Sequence, residues 1–237
     1  MNGKNILITG GTSGIGALTA RLLLDSGHQV AVTGRSPNKL QAFLEEAGRP
    51  QELHGIIADA SDWQATQAAV TETVERFGGL DAAVAGAGFT AADHFRTSGT
   101  AISDGDPTLW PAMVLTNVLG PALLARAALP HLRETGGRFV LIGSVAGLKN
   151  TPGNLYSATK WAVTGLAENI RMYATTVGVG VTLISPGVID TPFWGEGTTP
   201  PFAMSAEPVA GAIGFALDQP VGVDLNTLTI RPIGQPI

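Results

Sequence analysis

The sequence predicts an α/β fold: a doubly wound, mainly parallel seven-stranded sheet with helices on both faces, in one domain spanning residues 1–237. Short apolar strands alternate with helical segments along the chain, the order that a covered parallel sheet requires. Most of those strands are continuous apolar runs rather than alternating ones, as strands buried on both faces are. No Pro/Gly/Ser linker or internal repeat divides the chain, and 237 residues suit one large α/β domain.

The first strand is expected over Asn5–Thr9, and a glycine-rich turn leads from it into a helix over Ala17–Ser26. Gln29–Thr33 follows as the second strand. Ser36-Pro37 then offers a serine N-cap and a proline at the first helical position for a helix over Lys39–Ala47. After a third strand at Leu53–Ala58, Ser61 can cap a helix over Asp62–Phe77, which Gly78-Gly79 stops with residues that accept positive φ. Leu80–Ala85 reads as the fourth strand. Long helices are expected over Thr108–Arg133 and Leu155–Thr176, on either side of a fifth strand at Arg138–Gly143. Gly180–Ser185 and Leu225–Arg231 complete the sheet. Phe89–Pro107 and Thr191–Ala206 read as long loops after strand C-terminal ends, where open α/β sheets place their ligands.

Composition removes several classes of function. Apolar residues make up 44% and charged residues 14%, against roughly 25% charged in ordinary soluble domains. Mean hydropathy is +0.23, yet the apolar runs are broken short of the ~18 residues that a spanning helix needs. The apolar excess is therefore expected in a core and in subunit contacts, not in a membrane. A net charge of −5 without a Lys/Arg cluster argues against nucleic acid and anionic membrane surfaces, both bound through dense positive charge. With no cysteine, disulfides, thiolate metal sites and cysteine nucleophiles are excluded. His28, His54, His94 and His131 lack the spacing that sets two metal ligands on one helical face. The N-terminus runs into Asn5-Ile6-Leu7-Ile8-Thr9 without a signal-peptide pattern, so a cytoplasmic location is expected.

Thr9-Gly10-Gly11-Thr12-Ser13-Gly14-Ile15-Gly16 stands between the first strand and its helix. Glycines at 10, 14 and 16 allow a tight turn and close approach of the backbone to a pyrophosphate. The helix N-terminus adds unpaired N–H groups and the positive end of its dipole. An ordinary strand–helix turn is the plain alternative, but this triplet has the strand–turn–helix setting of a dinucleotide site, and the sheet is expected to be of Rossmann type. A carboxylate for the adenosine ribose usually follows about 20 residues on. None occurs between His28 and Lys39. Arg35 offers instead a planar guanidinium suited to a 2′-phosphate, with Lys39 as a second cation. That favours NADP(H) over NAD(H), the alternative being a solvated surface arginine.

Tyr156-Ser157-Ala158-Thr159-Lys160 opens the second long helix. The i,i+4 spacing sets tyrosine and lysine on one face, ~5–6 Å apart, where an ammonium favours the phenolate. Twelve residues earlier, Ser144 stands at the C-terminal end of an apolar strand, able to donate to an oxygen that is becoming an alkoxide.

Together the glycine segment, Ser144, Tyr156 and Lys160 resemble the short-chain dehydrogenase/reductase family over essentially the whole chain. The resemblance implies that Tyr156 is the general acid/base and that Ser144 orients the substrate oxygen. Lys160 would tune the tyrosine and hold the nicotinamide ribose. Asn117, in Leu115-Thr116-Asn117-Val118, matches the family asparagine that holds a water of the proton relay. Asp59, followed by Ala60, matches the aspartate that meets the adenine ring. Pro186, Gly187, Val188, Ile189 and Thr191 look like the segment that cradles the nicotinamide. For Asp59 and Thr191, helix or turn capping is the plainer reading. Ala85-Gly86-Ala87-Gly88 replaces the family's Asn-Asn-Ala-Gly, which weakens structural hydrogen bonds while still admitting the cofactor. The resemblance also implies a homodimer or homotetramer.

The expected chemistry is hydride transfer between a nicotinamide and a carbonyl carbon, with Tyr156 handling the oxygen's proton. Val145, Leu148, Val188, Phe193 and Trp194 are expected to line a mostly apolar pocket for a small neutral ketone or aldehyde. A non-catalytic redox sensor on the same fold is the alternative, because fold alone does not settle function. A serine hydrolase is disfavoured, since no Gly-x-Ser-x-Gly elbow occurs.

Overall fold

The computed structural model describes residues 3–90, 100–194 and 199–235. The strands are β1 (Asn5–Thr9), β2 (Gln29–Gly34), β3 (Leu53–Ile57), β4 (Ala82–Ala85), β5 (Arg138–Ile142), β6 (Gly180–Pro186) and β7 (Thr227–Ile230). They form one sheet in the order β3-β2-β1-β4-β5-β6-β7, and every neighbouring pair is parallel. The helices are α1 (Gly14–Asp25), α2 (Pro37–Glu46), α3 (Trp63–Phe77), α4 (Trp110–Val114), α5 (Gly120–Thr135), α6 (Leu155–Ala174) and α7 (Glu207–Leu217).

Alternation along buried strands divides the core into two layers. In β1, Leu7 joins Leu124, Phe139, Leu141 and Val163 on the face covered by α3, α5 and α6. Its neighbours Ile6 and Ile8 join Leu23, Leu40, Val209 and Ile213 on the face covered by α1, α2 and α7. Residues before β7 are fastened by two arginines. Arg171 donates to Val181 O and Asn226 O, and Arg138 to Gln219 O, Pro220 O and Val223 O.

Three expectations need correction. Asp62, not Ser61, caps α3: its Oδ1 accepts from Ala65 N at 2.6 Å, while Ser61 turns both its N–H and its hydroxyl to Asp59. The expected single helix over Thr108–Arg133 is interrupted by a π turn at Leu115–Leu119, where Gly120 N bonds Leu115 O. Pro121 explains the interruption, because it has no N–H for the Asn117 carbonyl four residues back and its ring crowds that carbonyl. Read continuously, Trp110–Thr135 is long and apolar enough to cross a bilayer, with a mean hydropathy of 1.5. Its inner side chains Leu124, Ala128 and Leu132 lie instead in the protein core.

Phe139 is fully buried at the centre of the sheet. Phe139→Ala is expected to lower unfolding free energy by about 3–5 kcal/mol, measured by urea denaturation; a loss below about 1 kcal/mol contradicts this core assignment.

Candidate active site

The strand order reverses at β1, which pairs with β2 on one side and β4 on the other. Thr9 pairs with Ala85, so the turns leaving β1 and β4 emerge side by side at the C-terminal edge. A cleft of about 650 Å³ opens there, within the range of cofactor and ligand sites.

At one end lies the glycine turn. Gly10 has φ +68°, and a Cβ there would come within 2.7 Å of Ala87 Cα. A Cβ on Gly16 would overlap the Gly10 carbonyl oxygen. Ser13 is the N-cap residue of α1 but makes no side-chain capping bond, so the helix start keeps N–H donors for an anion. These features fit a dinucleotide pyrophosphate: glycines hold the space open, and a helix dipole points into it.

Beyond Gly34, the wall carries Arg35, Ser36 and Lys39, with Asp59 and Ala60 opposite. Arg35 Nη1 stands 4.0 Å from Asp59 Oδ2, with 58% of the arginine side chain exposed. Burial pushes the Asp59 carboxyl up, but hydrogen bonds from Ser61 and the Arg35 charge outweigh it and leave its pKa below the usual value.

The other end is built from β5 and α6. Ser144 follows β5, and its Oγ accepts from Ala146 N at 3.1 Å. Asn154 caps α6 by accepting from Ser157 N at 2.8 Å. Ser157 donates to Ala146 O at 2.6 Å, tying the Ser144 loop to the helix that carries Tyr156 and Lys160. Tyr156 is half-buried and shares a hydrogen bond with Ser144. Burial raises the Tyr156 pKa above that of a free phenol, and the Ser144 bond offsets only part of the rise. The expected lowering by Lys160 is not what governs the phenol here: the Lys160 Nζ lies 5.8 Å from the ring centroid and donates to Ile142 O at 3.0 Å. Burial also brings the Lys160 pKa down from 10.5 to about 8.

The cleft gathers Gly10, Thr12, Ser13, Gly14, Ile15, Gly16, Arg35, Asp59, Ala60, Gly86, Ala87, Ser144, Tyr156, Lys160, Pro186, Gly187, Ile189 and Thr191. Three expected residues stand outside its wall. Ala85 is buried within β4, and Val188 is 6% exposed and turned into the protein. Asn117 is buried behind the cleft, where its Oδ1 accepts from Phe89 N at 2.8 Å and its Nδ2 donates to Phe89 O at 2.9 Å. Its Nδ2 also donates to Thr159 Oγ1 at 3.1 Å, so this side chain clamps the strand-end loop to α6. Of the expected apolar pocket, Phe193 lines the cleft, with its ring centroid 5.8 Å from that of Tyr156. Val145 and Leu148 do not, and the Trp194 side chain lies outside the described residues. Thr116, Gly88, Ile142, Gly143 and Pro192 were not anticipated in the wall; only their places beside motif residues could have suggested them. After β4, the Ala87 N–H donates to Thr9 Oγ1 at 3.4 Å, a long bond.

Comparison with known proteins gives a consistent picture. The family model described as short chain dehydrogenase matches residues 4–200. An uncharacterized oxidoreductase of Staphylococcus saprophyticus is 34% identical over 242 residues, 97% of this chain and 97% of that protein. An alcohol dehydrogenase from the archaeon Thermococcus sibiricus, complexed with 5-hydroxy-NADP, superposes with a TM-score of 0.86 at 26% identity, covering 98% of each chain. A dehydrogenase/reductase from Sinorhizobium meliloti gives a TM-score of 0.84 at 28% identity over 98% of this chain and 95% of its own.

The buried Lys160 has a measurable consequence. Between about pH 8 and 10.5, the unfolded chain keeps a Lys160 proton that the folded chain releases, so unfolding takes up a proton and rising pH stabilises the fold through this group. Urea unfolding is expected to show the stability of the wild type relative to Lys160→Met rising from about pH 7 to about pH 9.5. A difference that is flat or falls with pH contradicts the assignment.

Proposed function

The chain belongs to the short-chain dehydrogenase family, and from that premise we propose that it is an NADP(H)-dependent oxidoreductase that reduces a small neutral ketone or aldehyde to its alcohol. The observation that carries the reading is the convergence of Ser144, Tyr156 and Lys160 in the same cleft as the glycine turn. A bound nicotinamide dinucleotide would supply the hydride. The protein's part is to hold the carbonyl and move the proton. Ser144 and Tyr156 donate hydrogen bonds to the carbonyl oxygen, and Tyr156 gives up its proton as negative charge develops there. Lys160, still largely charged at neutral pH, would bond a ribose hydroxyl of the bound cofactor and favour the phenolate as the proton leaves.

Tyr156, like any phenol, is protonated at neutral pH, and burial moves its pKa further up; a protonated group is the acid that reduction needs. The glycine turn would hold the pyrophosphate, Arg35 and Lys39 the 2′-phosphate, and Pro186–Thr191 the nicotinamide. Arg35 supports NADP(H) through its charge and exposed position, and the NADP-type ligand of the Thermococcus sibiricus enzyme agrees with that. A neutral substrate is supported by Thr116, Pro192 and Phe193, which carry no charge into the cleft. The exposed side chains of Leu115 and Leu119, and of Trp161 and Met172 on α6, support a homodimer or homotetramer built on these helices.

Tyr156→Phe is expected to lower kcat for carbonyl reduction by about a hundred- to ten-thousand-fold while NADPH affinity, followed by fluorescence titration, stays within about two-fold. Unchanged turnover would remove Tyr156 from the chemistry, and a protein that binds NADPH without turning over any carbonyl would be the sensor. Arg35→Ala is expected to weaken NADPH binding about ten-fold or more and leave NADH binding nearly unchanged. Equal loss for both cofactors would count against 2′-phosphate recognition.

A further inference from the structure

The segment that faces the nicotinamide in the reading above is held from behind by the end of the chain. β7 ends at Ile230, whose carbonyl accepts from Gly187 N at 2.7 Å. The next N–H along that segment, at Val188, has no strand left to pair with. It is met by a side chain: Gln235 Oε1 accepts from Val188 N at 3.1 Å. The chain returns Gln235 to that place through a tight turn, in which Gln235 N bonds Pro232 O at 3.2 Å. Gly234, with φ +86°, stands at the third position, where a type II turn requires a left-handed residue. On its third side, the segment is tied by Asp190 N to Met204 O at 2.8 Å and by Met204 N to Val188 O at 3.1 Å.

Gly187 completes the fit. A Cβ there would collide with Gln235 Oε1 and come within 2.9 Å of Pro232 Cδ and 3.1 Å of Arg231 Cα. The space kept open by this glycine is therefore filled by the C-terminal turn, not by the cleft. Val188 is 6% exposed with Gln235 in place, and removing that side chain takes away the acceptor of its N–H. The peptide plane between Gly187 and Val188 would then be free to rotate, and with it Gly187 and Ile189, which line the cleft.

We propose that the turn Pro232–Gln235 is a positioning element for the nicotinamide half of the cofactor, with the Gln235 side chain holding the Val188 N–H. The proposal rests on the assignment of Pro186–Thr191 to the nicotinamide. It predicts a defect confined to that half: the glycine turn and Arg35 lie on other strands and make no contact with Gln235 in the described hydrogen bonds.

The test compares NADPH with 2′-phosphoadenosine diphosphoribose, which lacks the nicotinamide, by isothermal titration calorimetry on wild type, Gln235→Ala and Gln235→Glu. Gln235→Ala is expected to weaken NADPH binding roughly ten-fold and change binding of the nicotinamide-free ligand by less than about two-fold. Gln235→Glu keeps an acceptor oxygen and is expected to restore most of the NADPH affinity. Unchanged NADPH binding in Gln235→Ala overturns the proposal, as does equal weakening of both ligands, which marks a general structural loss. A wild-type protein that binds neither ligand removes the cofactor reading and this proposal together. Binding of both by the wild type, with no effect of Gln235→Ala, removes this proposal alone.

Discussion

The cleft exists because the strand order reverses around β1. Chain leaving β1 crosses to pair β2 on one side, while chain arriving at β4 takes the other side. The connections therefore diverge to opposite faces of the sheet and leave a crevice at the C-terminal edge that no helix fills among the described residues. Each part of the candidate site hangs on that crevice. The glycine turn and the loop after β4 touch across it at Gly10 and Ala87, which is why neither can carry bulk. β5 and β6, one and two strands further on, deliver Ser144 and Pro186–Thr191 to the same edge.

Electrostatics at the two ends follow from burial. Lys160 is 5% exposed, and the cost of charging it there is offset, among the described residues, by the Ile142 carbonyl and the Tyr156 ring. Burial favours the neutral form of Tyr156 as well, which for a phenol moves the pKa up rather than down. In the proposed reaction, a buried ammonium beside a protonated phenol would be the pair that releases a proton when a substrate oxygen gains charge. At the adenine end, Arg35 and Asp59 are both largely solvated, so their pairing is weak and the guanidinium is available to a phosphate.

Much of this was legible in the sequence because local rules set it. Continuous apolar runs located the strands to within two residues, and Ser36-Pro37 marked the start of α2 as it stands, with Ser36 Oγ accepting from Lys39 N at 3.3 Å. Motif residues on strand ends and on one helical face fell into one cleft, as their spacing implied. What the sequence did not yield depends on contacts between distant segments. Asn117 is 28 positions from the Phe89 backbone it clamps, and Gln235 is 47 from the Val188 N–H it satisfies. No local pattern signals either. The π turn is a different case: Pro121, four residues after Asn117, was visible in the sequence and breaks the i→i−4 ladder by a local rule. Asp62 displaced Ser61 as the cap of α3: its carboxylate accepts from Ala65 N, while Ser61 is turned to Asp59.

The account stands or falls on hydride transfer to a carbonyl under the control of Tyr156. The most direct measurement incubates the protein with NADPH deuterated at the transferring C4 position and a panel of neutral aliphatic and aromatic ketones and aldehydes, with products followed by mass spectrometry. The account predicts deuterium on the carbinol carbon of at least one product, with the label lost when Tyr156 is replaced by phenylalanine. A protein that binds the labelled cofactor tightly yet passes deuterium to none of them would contradict it.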